Sequence, residues 1–420
     1  MKIVIVGGGL AGIQTAYYLL EDGHQVTLVE RRNAVALETS FANGGLITPS
    51  HAAPWNSPGI LNTLLKSMGR KDASIYVKPS ALGTYIGWGR QFIRNSTRKR
   101  YNRTIARNFA LARYSQQCFQ RLLEQTPLEF FHEKRGSMMV YTTRAGFEEA
   151  SERFDELKRQ GVEAQICSSG ELVEREPALA STASHLAGGV FFKEDEHGDA
   201  RSFTQSLAAY LSQNGVEMRT GVRVDGFIRS NGKIAGVTTD QGDIGADAVV
   251  IGAGHWSADI LKRLDVDLPV RPVKGSSLTF SLPSWQGAPK IPVVDDELHV
   301  AVTPLQDSIR IVGTAEFCGY DPEVKPARMA MLLRAGIAIY PQLEKEISGI
   351  RPELEWSGHR PMTPDCMPVL GHVGHDNLYL NTGHGYLGWT TATGTSKAIA
   401  DMIAGRKSDL NMEHYGLARF

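Results

Sequence analysis

The chain has 420 residues, enough for about two domains, with the apolar and charged fractions of a soluble globular protein. Its 45 basic residues equal its 45 acidic ones, which argues against nucleic acid as the main partner. Cys118, Cys167, Cys318 and Cys366 stand far apart with no CxxC, against a disulfide framework or a zinc site and in keeping with a reducing compartment, and no apolar run is long enough to span a bilayer.

Lys2 to Val6 is a β-branched apolar run, the pattern of a buried parallel strand. It lacks the cationic region and cleavage site of a signal peptide. Gly7-Gly8-Gly9-Leu10-Ala11-Gly12 follows at once and fits G-x-G-x-x-G. Ala11 to Leu20 has helical periodicity, Gly23 breaks it, and Gln25 to Val29 is a second strand closed by Glu30. Gly7 allows the tight turn, Gly9 lets a pyrophosphate approach the backbone, and Gly12 lets the helix pack on the strands. The helix start at Leu10 and Ala11 offers free N–H groups and the positive end of a dipole. Glu30 stands where an acid accepts hydrogen bonds from an adenosine ribose. Strand, glycine turn, helix and acid together make a dinucleotide-binding unit. They do not decide between FAD and NAD.

Arg31, also expected at the cofactor, leads into a polar loop from Glu38 to Pro49. Thr39, Ser40 and Asn43 are candidate phosphate donors. Gly44 and Gly45, followed by Leu46, let backbone lie against a flat ligand. The run Glu38-Thr39-Ser40-x-Ala42-Asn43-x-Gly45 resembles the loop after the second strand in the FAD-dependent D-amino acid dehydrogenases. Their wider group includes glycine oxidase, sarcosine oxidase and D-amino acid oxidase. Ala52-Ala53-Pro54-Trp55 and Pro58-Gly59 continue the likeness. The resemblance implies FAD, with its isoalloxazine near Gly44 to Ile47.

Residues 56–125 read as mostly helical, with a break around Lys78-Pro79. Near 75–110 this segment is basic and aromatic: Tyr85, Trp88, Arg90, Phe92, Arg94, Arg98, Lys99, Arg100, Tyr101, Arg103 and Arg107. One reading is a solvated helical face. The other is a patch that rests on an anionic membrane surface and approaches quinone. Strands are expected at 137–141 and 188–192, a charged helix over 148–160, and a proline-stopped helix before Pro177. Asp199 is read as the cap of a helix from Ser202 to Asn214. Residues 216–219, 222–227 and 234–239 alternate like a meander.

Val222 or Val224 falls where family members touch adenine. Asp247 to Ser257 is a buried strand opening into a glycine turn, and Ala253, Gly254 and Trp256 lie in a likeness to the family's second phosphate-side motif. Val273 to Thr279 resembles the family's P-x-K-G-x-S-L strand, further strands are expected around 301–304 and 309–316, and Ala327 to Tyr340 is a helix stopped by Pro341. Two late stretches carry the most specific resemblance: Trp356 to Asp365, containing Gly358 and Arg360, and Leu380 to Thr390, containing Gly383, His384, Gly385, Tyr386, Leu387, Gly388, Trp389 and Thr390. A helix opening at those glycines would face the flavin pyrimidine with its N–H groups.

A flavin oxidises an amino acid by taking hydride from Cα onto N5, and the imine hydrolyses to a 2-oxo acid and ammonia. The protein must fix the carboxylate and leave the amine unprotonated. Arg360, at the arginine of the family's G-x-R-P motif, is the carboxylate candidate, because a guanidinium forks onto two oxygens. Its plainer alternative is a domain-bridging ion pair. His51, His359, His384 and Tyr386 are candidates to orient the amine or tune the ring, and Lys274 and Tyr320 to line the substrate face. Some relatives attach flavin through a cysteine shortly before T-P-D. Trp356, Ser357, Gly358 and His359 hold none there, so non-covalent FAD is expected.

The expectation is an α/β fold: a Rossmann-like FAD-binding domain from separated segments (1–55, 200–269, 354–420) and an antiparallel-sheet α+β substrate domain (56–199, 270–353). The expected function is oxidative deamination of small D-amino acids, with electrons passed to a quinone or dye-type acceptor. Alternatives are a relative acting on glycine, sarcosine or a D-proline derivative, and a non-catalytic FAD-binding partner subunit. No metal is expected. The location is read as cytoplasmic, with peripheral contact on the inner face of the cell membrane as the extension.

Overall fold

The computed structural model describes residues 1–67, 74–159 and 161–420. Residues 68–73 of the helical stretch and the Gln160 end of the charged helix lie outside the described residues.

Strand β1 (Lys2–Val6) is buried from Ile3 onward and pairs in parallel on both sides, which is why it reads as an unbroken apolar run. Its neighbours are β2 (Gln25–Glu30) and the Ala248–Ile251 strand. Beyond them lie Glu217–Thr220 on one side and His375–Thr382 on the other, with an antiparallel Val369–Val373 at the far edge. Helix α1 (Leu10–Glu21) buries Ile13, Ala16, Tyr17 and Leu19 in one core with Leu28, Val250 and the apolar side of the Gly388–Ile403 helix. Each fully buried aliphatic contributes about 2 kcal/mol over exposure. The Arg98–Gln125 helix also packs on Gly388–Ile403, and Gly394 permits it: a Cβ there would lie 2.8 Å from Ser115 Cα.

The second sheet has nine strands. Its edge is Leu354–Met362, followed by Arg271–Ser281, Ser308–Phe317 and Val300–Leu305. It is antiparallel apart from two parallel pairings, Val293–Asp295 with Ser137–Tyr141 and Ile75–Val77 with Ser308–Phe317. The boundary expected at 354 falls inside this sheet, because Leu354–Met362 finds its ladder partner in Arg271–Ser281. A bridge between Met362 and His384 joins the sheet edge to the glycine-rich turn before Gly388–Ile403. The cavity lies at that seam.

The expected meander differs in its first strand. Glu217–Thr220 adds to β2 in the parallel sheet, and the antiparallel trio is Val224–Ser230, Lys233–Thr239 and Ile244–Gly245. Short segments of alternating residues do not tell a parallel edge from a hairpin. Asp199 caps the Ala200–Gln213 helix, accepting from the N–H groups of Arg201 at 2.8 Å and Ser202 at 3.0 Å.

Candidate functional site

A cavity of 480 Å³ runs from the β1–α1 turn, past the loop after β2, to the underside of the second sheet. Gly7 has φ +114°, and a Cβ there would lie 2.7 Å from Gly252 O. A Cβ on Gly12 would lie 1.8 Å from Gly7 O. Gly12 therefore shapes the turn without lining the cavity, whereas Gly7, Gly9, Leu10 and Ala11 line it. Ser40 Oγ accepts from Leu10 N–H at 3.2 Å, so this hydroxyl stands at the helix start. Glu30 is buried, accepting from Gly8 N–H and Arg32 N–H at 2.7 Å each. Burial pushes its carboxyl up, and those two N–H groups oppose the shift.

The loop after β2 is tied down by its own polar groups. Thr39 Oγ1 donates to His359 O at 2.6 Å, and Asn43 Oδ1 accepts from Gly45 N–H at 3.0 Å. These two side chains are thus engaged within the protein, and the loop offers shape and backbone to a ligand. Gly45 has φ +68° and no room for a side chain against Gly198 O. From above, Thr303 Oγ1 donates to Gly44 O and Arg310 Nη1 to Asn43 O. Glu38 pairs with Arg31 and Arg32, and the Arg31 guanidinium lies 4.0 Å over the Trp256 ring. Leu46, Val224, Ala253 and Gly254 complete this side of the wall.

At the other end stands Arg360. Strands Arg271–Ser281 and Leu354–Met362 pair Gly275 opposite Gly358. A Cβ on Gly275 would fall 2.3 Å from Arg360 Nη1, and one on Gly358 would fall 2.0 Å from Trp356 Cη2. The two glycines make a notch that the guanidinium and the indole fill. Arg360 Nη1 donates to Thr314 O at 2.9 Å. Thr314 sits at φ +65° in an irregularity of the ladder, a strained conformation for a β-branched residue. No carboxylate pairs with Arg360 among the described residues, and no charged group acts on its guanidinium. Desolvation alone lowers its pKa, to about 10, so it stays charged at neutral pH. It does not make the domain-bridging ion pair that was the plainer reading.

His51, Gly358, His384, Gly385, Tyr386, Leu387, Gly388 and Trp389 line the same end. His384 Nε2 pairs with Thr395 Oγ1 at 2.9 Å, and burial pushes the imidazole down to about 4, so it is neutral. Tyr386 Oη donates to Ala53 O at 2.5 Å and its ring stacks on Trp55. Burial holds that phenol protonated. The helix Gly388–Ile403 starts at this wall with no side-chain cap. Its first N–H groups are the ones a flavin pyrimidine would meet.

Of the predicted residues, Gly12, Lys274, Tyr320, His359, Gly383 and Thr390 lie off the cavity wall. Lys274 is fully buried and donates to Glu323 O at 2.9 Å, on the strand face away from the cavity. Tyr320 packs on Trp256 with ring centres 4.8 Å apart. Gly383 makes a turn at φ +76°, and Thr390 Oγ1 accepts from Thr48 N–H at 3.0 Å. Gly275, Ser276, Val312, His255 and Trp356 do line the wall and were not expected there. Gly275 and Ser276 belong to a run that resembles the family, but their neighbour Arg360 is 85 residues away and only the ladder reveals it. No cysteine is among the wall residues, and buried Cys366 has its thiol pushed up to about 12. Among the described residues there is no cluster fit to hold a metal, and no helix is long and apolar enough to cross a membrane.

A glycine turn at a helix start, a buried ribose-side acid and a second helix start at the far end suit a long dinucleotide with a flat head. The profile of the FAD dependent oxidoreductase family matches residues 2–402. The chain belongs to that family. It is 37% identical over 421 residues to the D-amino acid dehydrogenases of Paramagnetospirillum magneticum and Methylobacterium nodulans, covering 100% of this chain and 99% of each relative. Among solved structures, glycine oxidase from Bacillus cereus superposes with a TM-score of 0.75 at 22% identity, covering 98% of this chain and 97% of that one. L-proline dehydrogenase from P. horikoshii superposes with a TM-score of 0.78 at 18% identity, covering 100% and 97%. FAD is the cofactor, and the protein is an FAD-dependent oxidoreductase enzyme of the Rossmann-like type.

Proposed function

We propose that this enzyme deaminates small D-amino acids oxidatively, giving a 2-oxo acid and ammonia, and passes the electrons to a quinone or dye-type acceptor. The observation that carries this is the Arg360 guanidinium, charged, turned to the cavity and without a carboxylate partner among the described residues. A substrate carboxylate would satisfy it as a bidentate pair. The names of the 37% identical relatives support the D-amino acid class.

FAD held along the β1–α1 turn and the Gly44–Gly45 loop would supply the hydride acceptor. The chain's own residues do the rest. Arg360, braced by Thr314 O, holds the carboxylate, and Tyr386 is locked to Ala53 O so that its ring forms a fixed wall. The acids in the cavity wall are Glu30, Glu38, Asp225 and Asp259, and none of them shifts Arg360. His384 is neutral and bonded to Thr395. With no acid among the described residues at the Arg360 end to stabilise an ammonium group, the amine binds as the free base.

The test is anaerobic bleaching of the purified yellow protein by D- and L-amino acids, glycine, sarcosine and D-proline derivatives. Bleaching by D-alanine and not L-alanine supports the proposal. Bleaching only by a cyclic or N-substituted amine moves the substrate, and none at all favours a non-catalytic FAD-binding subunit. Peroxide formed at the turnover rate on admitting air would replace the quinone or dye acceptor with oxygen.

A further inference from the structure

Trp55 belongs to the loop between the Pro49–His51 turn and the Ile60–Ser67 helix. Buried amides fasten that loop at both ends. Asn108 donates through Nδ2 to Ala52 O and to Cys366 O at 3.2 Å each. Asn56 Nδ2 donates to Pro364 O at 3.2 Å. Between them Tyr386 Oη donates to Ala53 O. The Trp55 indole is therefore carried on fixed backbone, beside the turn that follows the Arg360 strand.

The indole stacks on Tyr386, with ring centres 5.1 Å apart and planes inclined by 12°. The Arg360 guanidinium lies over the same ring, 5.4 Å from its centre. Tyr386 and Arg360 both line the cavity, and Trp55 itself does not. Trp55 therefore meets a ligand only through those neighbours.

Arg360 poses an electrostatic problem that this arrangement answers. Its guanidinium is desolvated, no charged group acts on it, and the hydrogen bond to Thr314 O fixes one nitrogen only. An acid beside it would stabilise the cation but would occupy the fork that a substrate carboxylate needs. The negative face of an indole attracts the cation without offering such a competitor. The flat ring also limits the planes into which the guanidinium can turn.

We infer that Trp55 is the positioning residue of Arg360: its ring holds the guanidinium in place with the fork open to a carboxylate. This rests on the proposed carboxylate role of Arg360. Because the indole also backs the Tyr386 ring, one side chain off the wall supports neighbouring parts of it.

The test uses the FAD-loaded full chain with D-alanine and with propionate, a carboxylate that has no amine. Propionate affinity is read from its perturbation of the flavin absorbance band, and D-alanine from anaerobic bleaching at varied concentration. Trp55→Leu removes the aromatic face and keeps an apolar side chain, whereas Trp55→Phe keeps a weaker face. Trp55→Leu should weaken propionate binding and raise the half-saturating D-alanine concentration about tenfold, with the bleaching rate at saturation and the flavin content nearly kept. Trp55→Phe should recover most of that loss. Equal affinities in the parent protein and Trp55→Leu would overturn the inference. So would equal losses in the Phe and Leu variants, or flavin lost from both, since either makes Trp55 a space-filling residue. Arg360→Lys is measured alongside. If it leaves propionate binding unchanged, the carboxylate role itself fails. If it weakens binding and Trp55→Leu does not, only the role of Trp55 fails. The propionate measurement stands whether or not D-alanine is a substrate.

Discussion

A Cβ on Gly12 would lie 1.8 Å from Gly7 O, and a Cβ on Gly275 would lie 2.3 Å from Arg360 Nη1. Both glycines serve the same cavity, at opposite ends, but one makes room for backbone and the other for a side chain. At the first end the parts come from residues 2–30 in a row, so the unit is local and stiff. At the second end they come from 271–281, 308–317 and 354–362, and a sheet ladder assembles them. Backbone cannot retreat from an added methyl without breaking its ladder, whereas a guanidinium can swing aside. The cofactor end should therefore fail by loss of fold and flavin, and the substrate end by loss of affinity with the flavin retained.

Gly12→Ala is expected to have the largest effect, roughly 4 kcal/mol or more, with little yellow protein recovered. Flavin absorbance per polypeptide measures it. Arg360→Lys should keep the flavin and raise KM about 100-fold, because the bidentate fork is lost. An unchanged KM removes Arg360 from the carboxylate role. Gly275→Ala should raise KM about tenfold with kcat and flavin content nearly kept, since only the guanidinium is displaced. If Gly275→Ala lost its flavin as fully as Gly12→Ala, the contrast between the two ends would collapse.

A pH profile sharpens it further. Carboxylate binding needs the charged guanidinium, whose pKa burial has lowered to about 10. kcat/KM should rise as the substrate amine loses its proton, then fall above about pH 10 as Arg360 loses its own. A profile still rising well above that pH would mean a different group holds the carboxylate. The smallest effect belongs to Asp199→Ala, a residue off the cavity wall. Loss of that helix cap should cost about 1 kcal/mol of stability in denaturant unfolding and leave KM alone.

The local patterns were legible because short-range sterics and capping decide them. The glycine turn, the two strands around it, the Asp199 cap and the helices stopped before Pro177 and Pro341 all appear where residue pattern places them. Arg360 was found through a motif, and its lack of an ion pair was invisible until its surroundings were known. Lys274 and Tyr320 lie off the wall: alternation along a strand does not say which face meets the cavity, and Tyr320 sits in the turn after Ser308–Phe317, where no periodicity places a side chain. Glu217–Thr220 was misread because pairing partners are set by long-range docking. The amino-acid sequence by itself determined a dinucleotide-binding unit and the residue types available for the chemistry. Only the tertiary structure decided which of them meet, because the notch at Gly275 and Gly358 exists only once these two residues, far apart in the chain, become partners in a ladder.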